Sequence, residues 1–86
     1  MKIDEKVEEK LKKLGYTISN CNTVKIGCKW FNNAYIEIII RDGKIDDYDV
    51  RGNLFIKEQS DIDNIQTAYS VLQSDLKELK NEYKNI

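Results

Sequence analysis

Apolar residues near the start of the chain recur at helical spacing. Ile3, Val7, Leu11 and Leu14 fall on one stripe, and Gly15 stands where a left-handed C-cap is expected. The pattern predicts a first helix from Ile3 to Leu14.

After Gly15 the hydrophobic period changes from helical to two, which predicts strands. A short edge strand over Tyr16–Ser19 is followed by the turn formers Asn20–Thr23. Two apolar rows then alternate with polar residues, one being Val24, Ile26, Cys28 and Trp30, the other Ala34, Ile36, Ile38 and Ile40. A third strand is predicted over about Lys44–Val50, and Leu54–Lys57 is either one more short strand or an ordered connection.

The turns set which residues share a face of the sheet. Three-residue loops at Phe31–Asn32–Asn33 and Arg41–Asp42–Gly43 would put both apolar rows, with Tyr48 and Val50, on one buried face. The opposite, mixed face would then carry Phe31, Tyr35, Ile39 and Ile45 among charged residues that include Lys29 and Arg41. We therefore predict three-residue loops, since two-residue turns would split the apolar rows and aim Asp47 and Asp49 at the core.

The last helix is predicted to start at Ser60 or Asp61, where Ser60 and Asp63 resemble a capping box. Its apolar residues follow a heptad stripe from Ile62 to Tyr83. At about 1.5 Å per residue this helix is longer than the strands, so it would extend past its sheet. Either the first helix or another molecule would cover the excess.

Together these elements predict an α+β fold for a single domain, residues 1–86. An N-terminal helix leads into a three- to four-stranded antiparallel meander, and a long C-terminal helix packs on one sheet face. With 41% hydrophobic and 34% charged residues, the composition is typical of a folded, well-solvated domain. Met1–Lys13 is charged throughout and shows no signal peptide, and no run is apolar enough for a membrane span, so a cytoplasmic protein is expected.

The residues give little support for catalysis. The chain has no histidine, and its four glycines form no phosphate-binding loop. Asp46, Asp47 and Asp49 alternate across a strand without the spacing of a calcium loop. Cys28 is expected in the core and Cys21 in a loop without activating neighbours. We predict no enzyme activity, no metal and no cofactor.

Three surfaces are candidates for binding instead. The acidic hairpin and the start of the last helix offer Asp42, Asp46, Asp47, Asp49, Glu58 and Asp61. The mixed sheet face offers Phe31, Tyr35, Ile39, Lys29 and Arg41, in which aromatics are ringed by charges. The heptad stripe offers a dimer seam of Tyr69, Leu72, Leu76, Leu79 and Tyr83.

In outline the chain resembles small phage-encoded anti-CRISPR proteins that fold as a helix, a three-stranded antiparallel sheet and a helix. The similarity covers about residues 1–70 and lies in Gly15–Tyr16–Thr17–Ile18 and in the Ile-rich strand ending in Arg41–Asp42–Gly43. It implies a host protein partner, such as a CRISPR nuclease, bound by an acidic surface that imitates DNA. A member of that family is strongly acidic, and this chain departs from it because its net charge is only −1.

The leading hypothesis is therefore a non-enzymatic inhibitor, phage or mobile-element encoded, that binds a host protein through the acidic hairpin or the mixed sheet face. One alternative is a homodimer assembled through the C-terminal helix that binds a small ligand. Another is a single-stranded nucleic-acid binder, in which Lys25, Lys29 and Arg41 lie beside Phe31 and Tyr35.

Overall fold

A computed structural model describes residues 3–52 and 55–83 of the chain and confirms the α+β class. The elements, in chain order, are α1 (Ile3–Lys13), β1 (Thr17–Cys21), β2 (Val24–Phe31), β3 (Ala34–Arg41), β4 (Lys44–Gly52) and α2 (Gln59–Tyr83). The strands form one antiparallel meander in the order β1-β2-β3-β4. Val7 and Leu11 of α1 and Leu72 and Leu79 of α2 belong to one hydrophobic core. The core also contains the buried residues of β3, which are Ala34, Ile36, Ile38 and Ile40. Both helices therefore cover the same face of the sheet.

The first helix ends as the sequence predicts. Gly15 adopts a φ of 103°, its N–H donates to the Lys12 carbonyl, and the Tyr16 N–H donates to the Leu11 carbonyl. These two bonds form a Schellman motif, which satisfies carbonyls that the helix end leaves unpaired.

The predicted three-residue loops are wrong, because the chain turns with two residues at each hairpin. Phe31 pairs with Ala34, and Arg41 pairs with Lys44. The first turn residue is left-handed in every case, with φ near 54° at Asn22, 63° at Asn32 and 54° at Asp42. Asn and Asp tolerate this conformation better than other residues with a side chain, so tight turns are accessible here.

The tight turn after β2 reverses the predicted orientation of that strand. Gly27 pairs with Ile38 and Lys29 with Ile36, so the inward row of β2 lies beside the buried isoleucines of β3. That inward row consists of Lys25, Gly27, Lys29 and Phe31. The predicted core residues Val24, Ile26, Cys28 and Trp30 lie on the opposite face instead.

A β-bulge at Asp46 changes which residues of β4 face the helices. Ile40 pairs with Ile45, but Ile39 pairs with Asp47, so Asp46 is the extra residue between these two strand pairs. An extra residue in one strand reverses which face the following side chains occupy. Asp47 and Asp49 are thereby kept off the helix-covered face, while Ile45, predicted on the open face, packs against the core.

The long helix begins at Gln59, one residue before the earliest predicted start. Asp61 Oδ2 accepts hydrogen bonds from the Lys57 and Glu58 N–H groups, at 2.8 and 3.2 Å. Asp61 thus reaches back in the manner of a capping-box residue, the part predicted for Asp63. Near the other end, Leu79 is buried and Lys10 Nζ lies 3.4 Å from Glu78 Oε1. Hence α1, not another molecule, covers this part of α2.

A buried polar network fixes α2 to the sheet. Asp75 is 6% exposed, and its Oδ2 accepts a 2.8 Å hydrogen bond from the Tyr16 hydroxyl. Lys29 Nζ approaches the same oxygen at 3.3 Å and lies 5.2 Å from the centre of the Tyr16 ring. Burial raises the pKa of Tyr16 well above its usual range, and the hydrogen bond and charge of Asp75 raise it further.

Candidate binding face

The face of the sheet turned away from the helices carries an apolar patch across its two central strands. β2 and β3 each place alternate residues there, and strand pairing aligns Ile26 with Ile39 and Trp30 with Tyr35. We call this surface the open face, and its apolar members are Val24, Ile26, Cys28, Trp30, Tyr35 and Ile39. Asn20–Thr23 and Phe55–Lys57 are exposed.

Trp30 is the most prominent residue of the open face. Its side chain is 65% exposed, and its ring centre lies 4.5 Å from that of Tyr35 with the planes tilted by 31°. Cross-strand aromatic pairs of this kind stabilise a sheet modestly, by about 0.5–1 kcal/mol. The stack therefore holds the indole in one place while leaving most of it in contact with water.

Charged side chains border the patch on the side of β4. Arg51 Nε donates a 2.9 Å hydrogen bond to Glu37, and Arg41 Nε lies 3.4 Å from Asp46 Oδ2. The hydrogen bond from Arg51 to Glu37, together with the charge of Glu37, raises the pKa of the guanidinium. Exposed pairs add little stability, but they partly neutralise this border.

Asp47 and Asp49 have a separate role at the outer edge of β4. The Asp47 carboxylate accepts the N–H of Tyr48 and the Asp49 carboxylate accepts the N–H of Val50, each at 2.8 Å. An unpaired N–H on an edge strand is a site for unwanted strand pairing, and charged side chains reduce that risk. These two aspartates protect the edge and also give this border of the open face an acidic character.

The structure divides the residues predicted for the sheet-face site between the two faces of the sheet. Tyr35, Ile39 and Arg41 lie on the open face, whereas Phe31 and Lys29 lie on the helix-covered face. The last two placements were wrong because they assumed the longer loop. Trp30, Val24 and Ile26 were missed for the same reason; the signal that could have found them is the tight turn that Asn32 and Asn33 allow.

The predicted acidic surface is divided between two ends of the sheet. Asp42 and Asp46 lie at the turn between β3 and β4. Glu58 and Asp61 lie at the opposite end, where Asn33 Nδ2 donates to the Asp61 carbonyl at 3.4 Å. The six acidic candidates therefore do not form one continuous cluster.

The predicted dimer seam is largely occupied by the protein's own core. Leu72 and Leu79 are buried and Leu76 packs against them, whereas Tyr69 remains 47% exposed. Tyr83 lies outside the described side chains. The leucines of this stripe therefore pack within the chain, and Tyr69 is the described seam residue that remains exposed.

The basic residues of the nucleic-acid alternative are also separated. Lys25 Nζ forms a 2.6 Å ion pair with Glu8, which lowers the pKa of that carboxyl, and Lys29 pairs with Asp75. Both lysines lie on the helix-covered face with Phe31, while Arg41 and Tyr35 lie on the other. The proposed combination of cations and aromatics does not form one surface.

Other kinds of site find no support in the described residues. No group of three or more acidic or cysteine side chains is placed there to hold a metal ion. In the same part of the chain, neither helix is both long and apolar enough to cross a membrane. Comparisons with protein-family models, curated proteins and solved structures found no match.

Proposed function

We propose that this protein is a non-enzymatic binding protein that inhibits a partner protein by docking its open face onto it. The observation that carries the proposal is Trp30, which stacks on Tyr35 at the turn end of the apolar row yet is 65% exposed. Tryptophan, tyrosine and arginine dominate the energetics of protein interfaces, particularly where an apolar centre is bordered by polar groups.

Asp47 and Asp49 belong to the same proposed contact. Asp47 pairs with Ile39 and Asp49 with Glu37 across the sheet, so both aspartates border the apolar patch. A basic surface on the partner would complement this border and speed association. The resemblance to anti-CRISPR proteins makes a CRISPR nuclease the first partner class to test.

Replacing Trp30 by serine is expected to weaken partner binding at least about thirtyfold, the loss expected of an aromatic hot-spot residue at an interface. The protein would be immobilised and exposed to a panel of purified CRISPR nucleases and to host extract, with binding constants then measured for each retained protein. Tyr69→Ser is the matched control, since Tyr69 is an exposed aromatic on α2. A partner that binds both variants as tightly as the unmodified protein would exclude the open face as its contact.

Cysteine labelling gives a second, independent measure of the same contact. Cys21 is exposed at the edge of β1, whereas Cys28 is half-buried within the open face. Burial raises the pKa of the Cys28 thiol, with a further contribution from Glu37. Since the thiolate is the reactive form, we expect N-ethylmaleimide to label Cys28 several-fold more slowly than Cys21.

A bound partner should slow the labelling of Cys28 further. The single-cysteine variants Cys21→Ser and Cys28→Ser assign each rate, and unchanged Cys28 labelling in the complex would contradict the proposal.

A further inference from the structure

The two edges of the sheet differ in how they are protected. β4 has a bulge, five charged residues among Lys44–Gly52 and two aspartates that accept its outward N–H groups. β1 has the sequence Thr-Ile-Ser-Asn-Cys, with no charge and no proline, and four of its five residues are exposed. Natural edge strands normally carry such protection, so the bare edge of β1 requires an explanation.

The hairpin register shows which backbone groups of β1 are available. A two-residue turn is closed by a hydrogen-bonded pair, here Cys21 with Val24, and such pairs alternate along the strands. Thr17, Ser19 and Cys21 therefore direct their N–H and carbonyl groups toward β2, while Ile18 and Asn20 direct theirs outward. Within the described residues, these outward groups have no backbone partner.

We infer that β1 pairs in antiparallel fashion with β1 of a second copy of this chain, about a two-fold axis at Ser19. In this register Ile18 faces Asn20 of the second copy and Asn20 faces its Ile18. All the outward groups of both residues are then used, in four backbone hydrogen bonds. A register centred on Ile18 is poorer, because it would pair Asn20 with Tyr16, whose N–H already donates to Leu11.

The side chains of β1 permit this self-pairing. Ser19 would face Ser19 of the second copy and Thr17 would face its Cys21, so no like charges meet. Asn20 points to the helix side yet is exposed, which shows that α1 leaves this part of the edge clear. The product is a continuous eight-stranded sheet with both helix layers on one side and both open faces on the other. A contact of five residues per chain is short, so association should be weak and concentration-dependent.

A disulfide at the axis tests the pairing and its register together. In a chain carrying Cys21→Ser and Cys28→Ser, we expect Ser19→Cys to form a disulfide-linked dimer readily with oxidised glutathione as oxidant. Residue 19 of one copy would face residue 19 of the other in a non-hydrogen-bonded pair. The Cα atoms of such a pair are about 4.5 Å apart, a distance that a disulfide can span. Thr17→Cys in the same background is the matched control, since two copies of position 17 are four residues apart along the paired strands. Equal yields from the two variants would overturn the register.

Charge at the axis gives a second readout that needs no covalent bond. Ser19→Lys and Ser19→Glu should each raise the dimer dissociation constant up to about fivefold at low salt, since like charges would face each other. Mixing the two variants should restore association, which sedimentation velocity would detect. A chain that stays monomeric at high concentration, or a mixture that associates no better than either variant, would overturn the inference. The inference would also be overturned if β1 paired with a strand of a different protein and never with a second copy of this chain.

Discussion

Replacing Gly52 by alanine should destabilise the protein by about 3 kcal/mol, a large effect for the addition of one methyl group. Gly52 has a φ of 148°, a conformation that residues with a side chain rarely adopt. A Cβ at this position would overlap the Asn33 carbonyl oxygen and lie 2.8 Å from the Ala34 Cα. Because both neighbours are backbone atoms of the β2–β3 turn and β3, no rotation of a side chain can relieve the contact. Urea unfolding followed by circular dichroism would measure the loss.

Gly27→Ala is the matched control for this prediction. Gly27 lies under α1, and a Cβ there would meet the end of the Ile18 side chain at 3.2 Å and Leu11 at 3.7 Å. Ile18 can shift by a few tenths of an ångström, and alanine restricts the unfolded chain more than glycine does. We expect a change of less than about 1 kcal/mol. Equal destabilisation by the two substitutions would show that backbone obstruction at Gly52 is not the cause.

The sequence was sufficient for the elements but not for the faces of the sheet. Periodicity located both helices and strands β2, β3 and β4, and Gly15 marked the end of α1 correctly. The turn prediction failed because it assumed that all apolar residues of β2 and β3 share one face. In the structure, the inward row of β2 contains Lys25 and Lys29, whose charges are balanced by Glu8 and Asp75. Partners so distant in sequence leave no local signal.

The bulge at Asp46 shows a related limit. Sequence reasoning excluded a two-residue turn at Asp42–Gly43 because a regular strand after it would direct Asp47 and Asp49 inward. The chain combines the tight turn with one extra residue, which places both aspartates outside. A tight turn followed by a bulge places the later residues of the strand on the same face as a three-residue loop would. The alternation of polar and apolar residues therefore cannot distinguish the two arrangements.

The candidate site shows the consequence of both limits. The sequence placed Tyr35, Ile39 and Arg41 on the correct face of the sheet. The alternation of apolar residues within β3 sets the orientation of that strand, whatever the length of the turn that joins it to β2. Trp30 was assigned to the core because the apolar row of β2 was assumed to share the buried face of β3. It is instead the most exposed apolar residue of the open face. A rule based on burial therefore fails for a residue that is kept exposed, which is also the property that makes Trp30 a candidate for binding.

Asp75 is a second residue that pattern alone misreads, and its removal should have a large effect. It continues the buried spacing of Leu72 and Leu79, where an apolar residue would be expected. Asp75→Ala should destabilise the protein by about 2–3 kcal/mol, because the Tyr16 hydroxyl and the Lys29 ammonium would both lose their acceptor. Chemical denaturation would measure this loss. Glu78→Ala is the matched control, since Glu78 is an exposed acid of α2 that also pairs with a lysine; its expected effect is below about 0.5 kcal/mol.

A double-mutant cycle separates the network from simple loss of volume. Lys29→Met removes the charge but keeps an apolar stem, and Asp75→Leu replaces the carboxylate by a side chain of similar size. If the two groups interact as the 3.3 Å distance indicates, the double variant should be more stable than the sum of the single losses predicts, by about 1 kcal/mol or more. Additive losses would mean that Asp75 acts through Tyr16 alone. In that case Tyr16→Phe should reproduce most of the effect of Asp75→Ala, and Lys29 would be a solvated neighbour of the network.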